Sequence, residues 1–272
     1  MLTLIARSVF EDFGICHIRI TTCVTLSTVI PPSLIVYYPD KFEVTFCVRG
    51  VISPLLANLF LHYVFDNWLD KYYPTLPLSR YADDGLVHCQ SEVQALHMRN
   101  VLKQRFEACG LELHPVKTKI VYCKDGDRKG DYENTSFDFL GYTFMRRVCK
   151  NPKRNSLFLG FIPAVSKDAL KSMRLKIRKL HVRRRTGLNL VQLAKWLNPM
   201  INGWIAYYGK YRRSALYGMC RHVNIALVRW AMHKYKTLRG RKTKASQMIA
   251  QIAKQHSYLF AHWRQGMIGV VA

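Results

Sequence analysis

Two consecutive carboxylates, Asp83 and Asp84, sit in the stretch 79–89 (SRYADDGLVHC), preceded by an aromatic residue and followed by Gly85. Side by side, like charges repel, and they persist where something cationic sits on them. In a chain dominated by Lys and Arg, whose natural partner is a phosphate polymer, carboxylates facing that polymer call for a metal between the two. A hard ion such as Mg2+ takes carboxylate oxygens and completes its octahedron with phosphate oxygens. Two such ions roughly 3.5–4 Å apart activate a 3′-hydroxyl and stabilise the leaving pyrophosphate of an in-line displacement. The plainer alternative is a turn, because Asp before Gly is common in hairpins.

The elements that must position this pair follow from periodicity. Residues 79–89 read as strand, tight acidic turn and strand, with Asp84-Gly85 as the turn signal. Upstream, Ser53-Pro54 reads as N-cap and first helical residue, and Leu55, Leu59, Tyr63 and Trp68 predict one buried helical face. Downstream, Ser91 to Cys109 predicts a helix through Val93, Leu96, Val101 and Phe106, closed by Gly110. Strands are predicted over 119–122 and 137–144.

From Ser166 the texture changes. Leu170, Met173, Ile177 and Leu180 form one helical stripe that runs into Arg183-Arg184-Arg185 and stops at Gly187. A second helix begins near Asn189 through Leu193, Leu197, Ile201, Trp204 and Tyr208, with a break expected at Pro199. A third spans 217–235. Three basic amphipathic helices make a small bundle. Residues 1–48 are apolar and Thr-rich, without strong periodicity, and are assigned no fold.

Lys and Arg number 42 against 17 Asp and Glu, a formal charge of +25. Such a surface attracts polyanions, nucleic acid first and a membrane surface second. The first fifty residues carry only Arg7, Arg19, Lys41 and Arg49 as bases, whereas 145–272 hold 28 bases and one acid, Asp168. A solvated surface without a partner mixes signs, so the run points to nucleic acid. The uncharged stretch 20–38 raises a membrane span, but its Ser, Thr and Pro31-Pro32 argue against one. Eight cysteines without a CxxC pair read as free thiols of a reducing cytosol, and Cys220 with His222 lacks the second ligand pair of a zinc site. A cytoplasmic, bacterial-type protein without membrane contact is expected.

Tyr81-Ala82-Asp83-Asp84 resembles the YxDD motif of reverse transcriptases, in the form common in group II intron enzymes. The resemblance extends to Gly50-Val51-Ile52-Ser53-Pro54-Leu55-Leu56-Ala57-Asn58, to Gly110-Leu111-Glu112-Leu113 with Lys117-Thr118-Lys119, and to Phe139-Leu140-Gly141-Tyr142-Thr143-Phe144. Residues 204–211 (WIAYYGKY) and the basic helices look like the maturase-specific thumb. The family implies an α+β fold: a partial reverse-transcriptase palm, an antiparallel sheet with helices, over 49–148. An all-α basic thumb/maturase domain follows over 160–245, with 1–48 unassigned and 246–272 a tail. It implies Asp83 and Asp84 as catalytic ligands of Mg2+, and Tyr81 near the primer end. Ser53 and Pro54 would shape the template–nucleotide pocket. Lys117 would contact the triphosphate or be an ordinary solvated lysine, and Gly141-Tyr142 would hold the primer or simply mark a bulged strand. The implied partners are group II intron RNA and an RNA template with a DNA primer; no oligomeric state is implied. Arg183, Arg184, Arg185, Lys210, Arg212 and Arg213 are the candidate RNA contacts. Trp196, Trp204, Tyr207, Tyr208 and Tyr211 either stack on bases or fill the bundle core.

The pattern departs from the family upstream. The family carries a third carboxylate on a strand well before the 50–58 block, and no such strand is evident; Glu11 and Asp12 are the only acids before Asp40. Val48-Arg49 stands where Gln-Gly is expected, and the resemblance starts at Gly50, as a truncated or frame-disrupted gene would leave it. With a ligand missing, weak or absent polymerisation by this chain is predicted. No paired Cys and His cluster follows the thumb, so no endonuclease is expected. Three functions compete: RNA-directed DNA polymerase, a non-enzymatic maturase that stabilises folded intron RNA, and an inactive relic.

Overall fold

The computed structural model describes residues 2–7, 53–151 and 154–269. It divides into two compact units, Met1–Ser136 and Phe137–Ala272. The readings made for 20–38, Val48, Arg49, Glu11, Asp12 and Asp40 lie outside the described residues.

The first unit is a four-stranded antiparallel sheet. Its strands are β1 (Leu2–Arg7), β2 (Leu78–Tyr81), β3 (Asp84–Cys89) and β4 (Lys119–Tyr122), in the order β2-β3-β1-β4. Helices α1 (Ser53–Leu61) and α2 (Asn67–Tyr72) precede the β2–β3 hairpin, and α3 (Glu92–Ala108) joins β3 to β4. This β-α-β-β-α-β order is the split βαβ arrangement. A strand therefore does lie upstream of the 50–58 block, but it is not the acid-bearing strand that the family carries. It lies inside the sheet, with Arg7 facing Asp84 in register and Ile5 facing Lys119, and its sequence, LTLIAR, contains no acid.

The core of this unit gathers Val64, Phe65 and Leu69 with Val87, Ala95, Met98, Leu102 and Phe106. That corrects two predicted faces. Leu55 and Tyr63 are 69% and 62% exposed, and Val93 on α3 is 77% exposed. Between α1 and α2 the chain makes a π-helical turn, His62–Asp66. One wide turn shifts the angular phase, so the buried side passes to Leu61, Val64, Phe65 and Leu69. On α3 the buried stripe is Ala95, Met98, Leu102 and Phe106, where a small and a flexible residue escape an apolar count. Ser91 caps that helix by accepting from the Gln94 amide at 3.2 Å.

The second unit opens with a three-stranded sheet, β5 (Ser136–Phe139), β6 (Tyr142–Lys150) and β7 (Leu157–Val165). The single strand predicted over 137–144 is thus two, reversed at Leu140-Gly141, both with positive φ as a tight hairpin requires. The strand β7 was missed because it runs nearly unbroken in apolar residues and carries Pro163, which an edge strand tolerates.

Four helices complete the unit: α4 (Lys167–Lys179), α5 (Leu190–Tyr208), α6 (Tyr217–Lys234) and α7 (Lys242–Gln255). Ser166 caps α4, and Asn189 with Gln192 forms a capping box on α5. The predicted α4 stripe holds: Met173 and Ile177 are buried, with Leu170 and Leu180 packed against the core. Pro199 does not break α5. It forfeits one backbone bond, but Leu193, Ala194, Leu197 and Ile201 keep the helix seated in the core. Asn198 also ties it to the segment beyond α7, donating to the Leu259 carbonyl and accepting from the Ala261 amide, both at 2.9 Å. The region beyond 245 is not a loose tail. The helix α7 buries Ala245, Ser246, Ile249 and Ala253, too small a set to read as a stripe, and Phe260, His262, Trp263 and Met267 complete the core. Among the described residues, no helix is long and apolar enough to cross a membrane.

Candidate functional site

The carboxylate pair sits at the β2–β3 reversal. Tyr81 pairs with Asp84, so the two-residue turn is Ala82-Asp83 and not Asp84-Gly85. Ala82 takes positive φ (51°), the conformation such a turn imposes. Asp83 is therefore in the turn, while Asp84 begins β3; both are half-buried, and Tyr81 beside them is exposed.

Arg80, unmarked by the sequence reading, fixes this turn. Its guanidinium forks onto Asp66, Nε to Oδ1 at 2.6 Å and Nη2 to Oδ2 at 2.7 Å. Its Nη1 donates to the Asn58 Oδ1 at 3.0 Å and to the Ala82 carbonyl at 2.7 Å. One side chain thus binds the acidic turn to α1 and to the π-helical turn. Bidentate, charge-assisted bonds of this kind are the strong ones. Asn58 belongs to the 50–58 block and also donates to the Pro54 carbonyl at 3.0 Å. The signal available in the sequence was the invitation of an Arg beside two Asp, and its partner Asp66 lay too far along the chain to be guessed.

Of the other predicted residues in this unit, Pro54 is exposed in the first turn of α1, and the side chain of Ser53 lies outside the described ones. Lys117 is half-buried in the turn before β4, where its amide donates to His114 Nδ1 at 3.3 Å.

The carboxylates offer hard oxygen donors suited to a divalent ion. Among the described residues, however, no group of three or more Asp, Glu, His or Cys side chains can hold a metal. In backbone register the strand neighbour of Asp84 is Arg7.

In the second unit, Gly141 and Tyr142 are clamped against the end of α5. The Tyr142 hydroxyl donates to the Tyr207 carbonyl, and the Tyr207 hydroxyl donates to the Leu140 carbonyl at 3.1 Å. The Tyr142 ring is buried among Tyr207, Tyr208 and Tyr211, and burial first, then those phenols, raises its pKa. The aromatics divide: Trp204 and Tyr208 pack on the core, whereas Trp196, Tyr207 and Tyr211 are exposed.

The basic residues divide as well. The chain leaves α4 through His181, whose φ is +48°, into a 3-10 turn, Val182–Arg184, so the three arginines lie on a turn and not on a helix end. Arg183 and Arg184 are exposed, while Arg185 stands 5.5 Å over the Trp196 ring. The turn is held by α6: Trp230 Nε1 donates to the Arg185 carbonyl at 3.0 Å, and Lys234 Nζ to those of Thr186 and Leu188 at 2.9 and 2.8 Å. Lys210 lies over Tyr211, Arg213 is exposed, and Arg212 donates to the Val148 carbonyl at 3.2 Å. Arg147, not singled out from sequence, has its pKa lowered by burial and then by Arg212, and its Nε is buried without a partner.

A split-βαβ unit with an acidic hairpin is of the kind found in nucleic-acid polymerase palms, and the second unit is a strongly basic sheet-and-helix unit. The comparisons with known families agree. The profile for reverse transcriptase (RNA-dependent DNA polymerase) matches residues 41–144, and that for the group II intron, maturase-specific domain matches 170–248. The first match begins ahead of Gly50, where the sequence resemblance was placed. No curated protein matches the chain. The chain belongs to the group II intron reverse transcriptases/maturases, a family that works on RNA and depends on divalent metal.

Proposed function

We propose that the maturase activity of this reverse transcriptase/maturase is carried by residues 137–272, which bind folded intron RNA and assist splicing. One observation carries the reading. Residues 137–272 hold 28 Lys and Arg against two acids, Asp138 and Asp168, on a unit whose core is complete. A field so nearly of one sign is the footprint of a phosphate-backbone partner. Arg183, Arg184, Lys210, Arg212 and Arg213 are its contacts, and Tyr207 and Tyr211 offer faces for unpaired bases.

The second reading is RNA-directed DNA polymerisation, favoured by the acidic turn that Arg80 holds on a palm-type sheet. In it Asp83 and Asp84 are ligands to Mg2+, and Tyr81 lies by the primer end. Ser53, Pro54 and Lys117 border the nucleotide, and Gly141 and Tyr142 support the primer strand. Weak extension by this chain is expected, because among the described residues no third acid joins Asp83 and Asp84.

Filter binding to a structured intron RNA, with primer extension on an RNA template in Mg2+, separates the two. Tight, salt-sensitive binding without extension supports the maturase reading. Extension abolished by Asp83→Asn gives the second reading the lead, and failure to bind refutes the first.

A further inference from the structure

The helical unit contains a recess that the described contacts leave unused. It opens between the end of α4, the 3-10 turn and α6, with a volume of about 250 Å3. Its floor is apolar: Ile177 and Val182 are buried in the core, and Ile225 is half-buried. Its rim is basic, with Arg178, Arg183 and Arg229 exposed around His222.

No acid lines the recess. Asp168 lies in the first turn of α4, roughly 15 Å from its far end at 1.5 Å per residue. Among the described residues, none of the three guanidinia has a hydrogen-bond or ion-pair partner. The α4 C-terminus contributes only about half a negative charge, against three positive ones. His222 registers the resulting field: burial, then Arg178, Arg174 and Arg229, push its imidazole below the ordinary histidine range. Like charges are thus held together around a cavity. The αL backbone of His181 makes the sharp reversal that brings Arg183 to the rim, a conformation costly for a non-glycine residue.

An anion would relieve this repulsion. A bare phosphate would use only the rim, whereas the apolar floor suits a ribose or a base face. We propose that the recess is a subsite for one nucleotide of single-stranded RNA. Its phosphate sits among Arg178, Arg183 and Arg229, and its sugar or base lies on Ile177, Val182 and Ile225. The proposal rests on the RNA-binding reading and gives it a discrete anchor.

The test uses the full chain and filter binding to a single-stranded oligouridylate and to an RNA duplex of equal length. Arg178→Gln/Arg229→Gln is compared with Lys171→Gln/Lys195→Gln, an equal loss of charge at exposed positions outside the recess. The recess pair should weaken single-strand binding about tenfold and the control pair about threefold or less. Ile225→Trp fills the floor without changing charge; it should weaken single-strand binding about fivefold and leave the duplex unaffected. Melting temperatures confirm that each variant is folded, and the surface pair stands as the test should Ile225→Trp unfold. Equal losses for the two charge pairs overturn the subsite while leaving general RNA binding intact. Displacement by uridine monophosphate at matched ionic strength, as effective as by the oligomer, makes it a free-nucleotide site and overturns the strand assignment. A wild-type chain that binds no RNA removes the RNA-binding reading itself.

Discussion

The two units of this chain solve the same problem of surface charge in opposite ways. Residues 1–136 hold 14 Lys and Arg against 15 acids; residues 137–272 hold 28 against two. The whole positive excess therefore belongs to the second unit. The first uses charge locally, as in the Arg80–Asp66 fork and the pairs of Lys124 with Asp131 and Arg128 with Asp125. Among the described residues of the second, no cation has an acidic partner, and its order comes from apolar packing and hydrogen bonds to backbone carbonyls, some of them from Lys234 and Arg212. Charge in one unit is architecture; in the other it is an unbalanced surface.

The comparison predicts different weak points. The largest effect is expected at Asn224, 0% exposed, whose Oδ1 accepts from His262 Nε2 at 2.7 Å and Trp263 Nε1 at 2.9 Å, and whose Nδ2 donates to the Met267 carbonyl at 3.2 Å. Asn224→Ala strands two buried donors and a carbonyl, at a cost of about 3–4 kcal/mol in denaturant unfolding of the second unit. A loss below about 1 kcal/mol would mean the network is not what orders that core.

In the first unit the corresponding site is the fork. Arg80→Ala should cost about 2–3 kcal/mol, because it leaves the partly buried Asp66 with only His62 Nδ1, at 3.3 Å, beside its Oδ2. A double-mutant cycle with Asp66→Ala should show coupling; additive losses would separate the pair. Salt should barely alter this coupling, which distinguishes a desolvated fork from a surface pair.

Acid should discriminate between the units further. Burial pushes the His262 pKa down to about 3. The unfolded chain takes up a proton near pH 6.5 that the folded core refuses, so this contribution is full above that pH. It is lost progressively as pH falls towards 3. Melting temperature against pH should therefore slope in this interval, and His262→Gln should flatten the slope. Gly141→Ala should cost about 1–2 kcal/mol, because φ is +76° and the added Cβ would come 2.7 Å from the Tyr208 hydroxyl. The smallest effect belongs to Arg183→Gln/Arg184→Gln/Arg185→Gln. Stability should hardly change, while the log–log salt slope of RNA binding should fall by about 1–2. An unchanged slope would remove the turn from the RNA contacts.

The sequence carried the main divisions of the fold because they rest on local signals. The caps at Ser91, Ser166 and Asn189, the stripe Met173–Ile177 and the reversal near Asp83 all lie within a few residues of their partners. What escaped was non-local or depended on small side chains. The face of α1 was misplaced because a π-helical turn has no apolar signature, and α7 was missed because alanines and a serine form its buried side. The strand Leu2–Arg7 could not be recognised without the neighbours that pair with it. At the candidate site the carboxylates were legible from their types, but Arg80 was not, since its meaning depends on Asp66 and Asn58.

The π-helical turn has a further consequence. A helix advances about 100° per residue, so an extra residue accommodated in His62–Asp66 sets the heading from which Asp66 meets Arg80. Deleting one codon within this turn would return the segment to an ordinary α-helix and rotate Asp66 away from the guanidinium. The acidic hairpin would lose its anchor although every residue of the hairpin itself remained. A frame-preserving length change, invisible to any survey of point substitutions, is thus the mutation to which this half of the chain is most exposed.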